Sequence, residues 1–348
     1  MTTVGAESLR DTELSYVSPE EPGILRRRVG RGFSYVGPGG RRVEDTSTLD
    51  RIRSLVIPPA WTGVWICADP NGHLQAIGRD QKGRRQYIYH PSFRALRDRT
   101  KYEHLADFAE ALPAIRARVE ADMALRGLPR DKVLATVVAL MERTLIRVGN
   151  DSYAKDNDSY GLTTMRDPHV AVEGETIRFL FKGKSGKEWN LTLRDRRLAK
   201  TVRACQDIPG QRLFQYYAED GSRHSVTSSD LNAYLRDITG RDITAKDFRT
   251  WAGTVGAVRT FAEVAAAAPD RPRAKTLRET IVLVARRLGN TPTVCRQCYI
   301  HPAVLQAFES GEPLPLHPRR KEPAGLSREE AEVLWFIRDH VERTALAA

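Results

Sequence analysis

What the chain has little of narrows the possibilities first. There are only 4 cysteines in 348 residues, so no disulfide framework is expected and a reducing, cytosolic setting fits best. Apolar runs stay short: Leu134–Leu140 is of core length, far below what a bilayer span needs, and no membrane association is expected. The opening stretch Met1–Glu21 is acidic and lacks the basic-then-apolar order of a secretory signal. The 8 histidines are scattered without metal-ligand spacing, and Cys295-x-x-Cys298 has no second pair to complete a four-ligand site. Gly183-Lys184-Ser185 fails as a phosphate loop because Arg178 stands where the first glycine would be. Neither a metal nor a cofactor is therefore expected.

Positive charge is abundant by contrast. The net charge is +11, and Arg26–Lys101 alone holds 16 basic against 6 acidic residues. Such a field on one segment suits a polyanion-binding face, although an arginine-rich surface is the simpler alternative. The length exceeds what one hydrophobic core usually serves, so two domains are expected.

Hydrophobic patterning divides the chain the same way. Gly32–Val43 reads as strand, Pro-Gly-Gly turn and strand, and a short helix follows around Leu49–Leu55. Val64–Ala68, Leu74–Gly78 and Arg85–His90 are strand-length runs between turn residues. From about Glu103 the spacing becomes helical. Val133, Leu134, Val137, Val138, Met141 and Leu145 share a face, as do Leu231, Tyr234, Leu235 and Ile238, and then Ile281, Val284, Ala285 and Leu288. Thr244 with Asp247, and Ser327 with Glu330, read as helix starts. Thr176–Phe181 and Trp189–Leu193 alternate as strands around a Gly-Lys-Ser-Gly turn, which puts a β-hairpin inside the helical region. The expected class is α+β. Residues 1–23 form a flexible acidic tail, 24–92 a small β-rich domain, and 93–348 a larger, mainly helical domain with the inserted hairpin. Its extension 311–348 carries one helix that packs as a cap.

Four stretches carry the chemistry: TLIRVGNDSY around Arg147, FKGKSGK around Lys184, KDFRTWAGT around Arg249, and LGNTPTVCRQCYIHP from Leu288 to Pro302. In that order, behind a basic β-rich domain, they resemble the type IB DNA topoisomerases, closest to the bacterial, poxvirus-like branch. The resemblance spans Ile24 to Pro302 and implies the recombinase/type IB catalytic fold, with double-stranded DNA as the partner. It implies Tyr299 as nucleophile, with Arg147, Lys184 and Arg249 around a scissile phosphate. A phenol that attacks phosphorus stores the backbone bond as a phosphotyrosyl ester, so resealing needs no ATP. Arginine forks suit charge developing on nonbridging oxygens, and a lysine on a hairpin tip suits proton delivery to the leaving 5′ oxygen.

The same resemblance places Asn290 where many relatives carry histidine. Its amide can still donate to a phosphate oxygen but cannot titrate. Lys246, one turn before Arg249, is an assisting cation. Lys82, Arg84, Arg85, Gln86, Tyr87 and Tyr89 match positions that meet DNA in the major groove, and Tyr153 is a further contact. Alternation puts Tyr87 and Tyr89 on one strand face, which suits either DNA or a core. The implied enzyme is a monomeric two-domain clamp that nicks, lets supercoils swivel out and reseals, without metal. A tyrosine recombinase shares the nucleophile and cations, but Lys246 stands where its His-x-x-Arg histidine would be. A non-catalytic basic DNA-binding protein would leave Tyr299 without a role.

Overall fold

A computed structural model describes residue 9, residues 12–312 and residues 322–346 of the chain. It is α+β and divides into two compact units, Thr2–Tyr102 and Glu103–Ala348.

The first unit is built on an antiparallel sheet ordered β2-β1-β3-β4-β5. Its elements are β1 (Ile24–Val29), β2 (Gly32–Val36), helix α1 (Thr46–Ser54), β3 (Thr62–Ile66), β4 (Leu74–Arg79) and β5 (Arg85–Tyr89). Strand alternation fills both faces. Ile24, Val64, Ile66 and Ala76 pack with Ile52 of α1 on one face, while Val17, Cys67, Leu74 and Ile77 pack with Trp65 and Tyr89 on the other. The second face corrects the expectation of a flexible tail. Ser15 bridges Gly72, Val17 N donates to Nδ1 of His73 at 3.1 Å, and the Tyr16 ring stacks on His73 at 4.4 Å. Residues 12–23 thus lie against the unit because Val17 covers apolar side chains of the sheet and Leu14 packs with Phe93 and Leu96. The strand expected after the Pro-Gly-Gly turn also differs. Its pairing shrinks to one bridge, Val36 to Arg42, because β2 pairs instead with β1 through a tight turn in which Gly30 takes φ +57°. The division at Tyr102 lies later than the sequence boundary at 92/93, since Phe93 and Leu96, already helical, pack with Leu9, Leu14 and Tyr89.

The second unit is mainly helical. Helix α2 (Pro91–Met123) runs into it, followed by α3 (Arg130–Thr144), whose apolar side chains from Val133 to Met141 are all buried, and by α4 (Asp151–Asn157). An antiparallel meander of β6 (Val170–Glu173), β7 (Thr176–Lys182) and β8 (Glu188–Arg194) interrupts the helices, with Phe181 opposite Trp189. The strands β7 and β8 are the expected hairpin. After α5 (Arg196–Gln206) comes a second small pair, β9 (Gln215–Tyr217) and β10 (Arg223–Ser225), that the sequence reading missed. The remaining helices are α6 (Ser228–Thr239), α7 (Ala245–Ala267), α8 (Arg273–Leu288), α9 (Pro292–Cys298), α10 (Pro302–Ser310) and α11 (Arg328–Leu346). Helix α7 opens as the sequence suggests, with the Asp247 carboxylate accepting from Thr244 N at 2.8 Å.

The C-terminal helix packs as a cap. Leu334 and Ile337 are buried, and Glu330 accepts two hydrogen bonds from Arg116, at 2.8 and 2.9 Å, and one from Trp251 Nε1 at 3.2 Å. Arg116 Nε also reaches Glu142 at 2.8 Å, so one guanidinium joins α2, α3 and α11, and the Glu330 carboxylate adds α7 through Trp251. Among the described residues, no helix is long and apolar enough to cross a membrane.

Candidate active site

The site is organised around Arg249. It points from α7 into the protein and is only 3% exposed. Its two terminal nitrogens donate to main-chain carbonyls, one to Leu145 and the other to Leu288 at 2.5 Å. Leu145 ends α3 in the left-handed region at φ +57°, and Leu288 closes α8. Helix C-terminal carbonyls are the acceptors such a cation suits, because helical hydrogen bonds leave them open. One arginine therefore brings together the two chain turns that continue into Arg147 and Asn290.

Those turns meet. Arg147 Nη2 donates to the Asn290 side-chain oxygen. Gly289, at φ +63°, terminates α8, and Asn290 N donates back to Ala285 O at 2.9 Å, so the Asn290 side chain leaves a defined turn. Two side-chain nitrogens here, Arg249 Nε and Asn290 Nδ2, are buried without a geometrically formed hydrogen bond in the chain, although the Arg249 guanidinium also acts on the Tyr299 phenol as a hydrogen-bonding neighbour. Buried donors are nearly always satisfied in native proteins, so these two exceptions, on residues that contact Arg147 and Tyr299, leave hydrogen-bonding capacity in this cluster.

Tyr299 follows α9 and faces this cluster. The guanidinium carbon of Arg249 lies 5.2 Å from the centre of its ring. The Tyr299 backbone sits close against α7, because Gly253 has no side chain: a Cβ there would collide with the Tyr299 carbonyl. His301 N donates to Thr254 Oγ1 at 3.1 Å and fixes the chain just beyond. Burial would raise the phenol's pKa, but Arg249, then Arg147, and more weakly Lys246 draw it below the ordinary tyrosine value. Burial, reinforced by repulsion from Arg147, pulls Arg249 itself down to about 10.

The other expected residues lie further out. Lys184 stands exposed on the turn between β7 and β8, and Lys246 is exposed on the first turn of α7. No metal-holding cluster of His, Cys, Asp and Glu occurs among the described residues. In the β-rich unit, Lys82, Arg85 and Tyr87 are exposed. Arg84 and Gln86 are both tied to the Asp80 carboxylate, at 2.8 and 2.9 Å. Tyr87 and Tyr89 do share a face and stack, with centroids 6.1 Å apart, but Tyr89 also packs with Phe93 at 5.5 Å. The Tyr153 side chain lies outside the described residues. Sequence reasoning missed the Leu145 and Leu288 carbonyls, since main-chain acceptors carry no residue signature. Gly253 was within reach as a glycine in a helix interior, where it is costly unless clearance is needed.

The family model for the eukaryotic DNA topoisomerase I catalytic core matches residues 90–312, and that for the bacterial DNA topoisomerase IB N-terminal domain matches residues 32–80. The chain belongs to the type IB DNA topoisomerases. DNA topoisomerase 1B of Acanthamoeba polyphaga mimivirus is 30% identical over 309 residues, which cover 86% of this chain and 92% of that protein. Vaccinia virus DNA topoisomerase 1B is 23% identical over 234 residues, 66% of this chain and 71% of that one. DNA topoisomerase 1 of rabbit fibroma virus is 26% identical over 236 residues, covering 66% and 70%. As a type IB topoisomerase the chain is a DNA-binding enzyme. The catalytic-core match contains Arg147, Lys184, Arg249, Asn290 and Tyr299, and the N-terminal match spans β2, α1, β3 and β4 of the β-rich unit.

Proposed function

We propose that this type IB topoisomerase relaxes supercoiled duplex DNA by reversible transesterification at Tyr299. The phenolic oxygen gives up its proton to water as it attacks a backbone phosphorus, a 3′-phosphotyrosyl ester forms as the bond from phosphorus to the 5′ oxygen breaks, and that oxygen leaves with a proton from Lys184. Swivelling of the free 5′-hydroxyl end releases torsion, and the same hydroxyl then attacks the ester and restores the phosphodiester. Each step exchanges one ester for another, so neither ATP nor a metal is required.

The observation that carries this reading is the pair of buried donors without a formed hydrogen bond, Arg249 Nε and Asn290 Nδ2, beside a phenol whose pKa is lowered by Arg249 and Arg147. In this reading those donors, with Arg147, take the nonbridging oxygens as negative charge builds there. With both terminal nitrogens of Arg249 engaged by carbonyls, its contribution to phosphate comes through Nε and through its charge. Asn290 orients Arg147 through its oxygen and donates through its nitrogen. Lys246 adds charge nearby, and Lys82, Arg85 and Tyr87 of the β-rich unit, with Arg84, Gln86, Tyr89 and Tyr153, make non-reacting DNA contacts. We infer a monomer that acts in the cytoplasm on nucleoid DNA.

Plasmid relaxation in EDTA without ATP tests the reading. Wild type is expected to relax supercoils of both signs, whereas Tyr299→Phe leaves them intact and forms no covalent adduct. Binding without any adduct would sink the proposal. Activity only on plasmids with paired specific sites would favour recombination instead.

A further inference from the structure

The hairpin that carries Lys184 presents a positional problem. Its tip, residues 184–187, is exposed, and Ser185 and Gly186 both take left-handed backbone conformations, at φ +64° and +74°. A proton donor must nonetheless reach one oxygen within about 3 Å. Something beneath the tip has to hold it in place.

Trp189 fills that position. It is the second residue of the return strand β8 and is 8% exposed. It stacks across the hairpin on Phe181, with centroids 6.0 Å apart and planes 2° from parallel. Two edges of the indole touch backbone where no side chain intervenes. A Cβ on Gly183 would come within 2.7 Å of the indole Nε1, and one on Gly289 within 2.5 Å of Cζ2. Gly183 immediately precedes Lys184, and Gly289 immediately precedes Asn290, which holds Arg147. A single rigid ring is therefore wedged between the segment that carries the lysine and the turn that carries the asparagine.

We propose that Trp189 is a positioning residue that registers Lys184 against Asn290 and Arg147. It touches neither DNA nor the reacting atoms, and it acts by fixing where the base of the hairpin meets the end of α8. An aromatic plane suits this role: it has two χ angles, already constrained by Phe181, so ordering it costs little entropy. The inference rests on the assignment of Lys184 as proton donor to the 5′ oxygen.

The test separates positioning from general damage by changing the leaving group. Single-turnover cleavage is measured on an ordinary duplex and on one whose bridging 5′ oxygen is replaced by sulfur, because a thiolate departs without a proton. Lys184→Ala serves as the reference and is expected to lose activity on the oxygen substrate but not on the sulfur one. Trp189→Ala is expected to follow the same pattern, losing about 100-fold on oxygen and no more than about fivefold on sulfur. Trp189→Phe keeps a ring in place and is expected to lose much less. Gly183→Ala decides the matter should Trp189→Ala fail to fold. Gly183 has φ −96°, which any residue adopts, so the new methyl acts only by pushing on the indole. Equal losses on both substrates, or no loss from Trp189→Ala and Gly183→Ala, would overturn the role of Trp189. Failure of sulfur to rescue Lys184→Ala would instead overturn the lysine assignment, and the role given to Trp189 with it.

Discussion

On β5, Arg85 and Tyr87 stand in solvent; on α7, Arg249 has almost none and donates to two helix ends. The two regions use the same side chain differently. In the proposed reading an exposed arginine such as Arg85 adds to a diffuse field that attracts phosphates along a backbone and is weakened by salt, whereas Arg26 and Arg51 of the same unit are tied to main-chain carbonyls. In the helical unit Arg249 is a strut whose charge is already desolvated, so it acts strongly over a short range and holds the site together before any DNA arrives. The contrast is between affinity supplied by many replaceable charges and reactivity supplied by a few that cannot be exchanged.

The sharpest way to break this comparison is Arg249→Ala. It removes a charge and two helix-end ties together, so cleavage is expected to fall by about a thousandfold or more, with a lower melting temperature. A loss no larger than that of Arg85→Ala would erase the distinction drawn here. Arg147→Ala is expected to cost about a hundredfold in single-turnover cleavage and Asn290→Ala less, since the cations survive without the amide. Equal losses would show that Asn290 works mainly by holding Arg147. In Arg147→Ala the Tyr299 phenol should also titrate at higher pH, seen in the phenolate ultraviolet band after subtracting a Tyr299→Phe control. The sign follows from losing a cation that favours the phenolate.

Glu330→Ala tests the cap without touching a reacting group. Removing it should cost about 2 kcal/mol in denaturant unfolding, below the range for fully buried pairs because the Arg116 side chain stays 32% exposed. Burial would raise the Glu330 carboxyl, but the hydrogen bonds from Arg116 and Ser327 hold it below its ordinary value. A depressed carboxyl stabilises fully above its unfolded pKa, and that contribution disappears as pH falls through the folded value. Wild type and Glu330→Gln should therefore converge in stability in acid and separate towards neutral pH. The smallest effect is expected from Arg85→Ala: binding a few-fold weaker, with a salt dependence shallower by about one phosphate contact and unchanged cleavage once DNA is bound.

Much of this was legible in the sequence, for identifiable reasons. Helix faces such as Val133 to Met141 and the strands flanking Lys184 show through periodicity, which depends only on local geometry. Of the five side chains whose types match one chemistry, Arg147, Arg249, Asn290 and Tyr299 are brought together, while Lys184 stands exposed on its hairpin. What stayed hidden depends on partners remote in the chain. The Leu145 and Leu288 carbonyls look like any others, and the Trp189 wedge exists only because residues 183 and 289 both lack side chains. Residues 12–23 read as acidic tail because two apolar residues, Leu14 and Val17, do the anchoring. The hydrogen bonds that tie Arg84 and Gln86 to Asp80 were likewise not legible, since they depend on how the turn before β5 folds.

Gly253 has a consequence for how mutations in this enzyme will be interpreted. Alanine there would improve the intrinsic helix propensity of α7 by up to about 1 kcal/mol, so a choice made on propensity alone would favour it. The added methyl would lever the tyrosine off its ledge, and the variant would be inert with every charged group intact. A survey scored by loss of function would rank this featureless position beside the nucleophile, although it takes no part in the reaction.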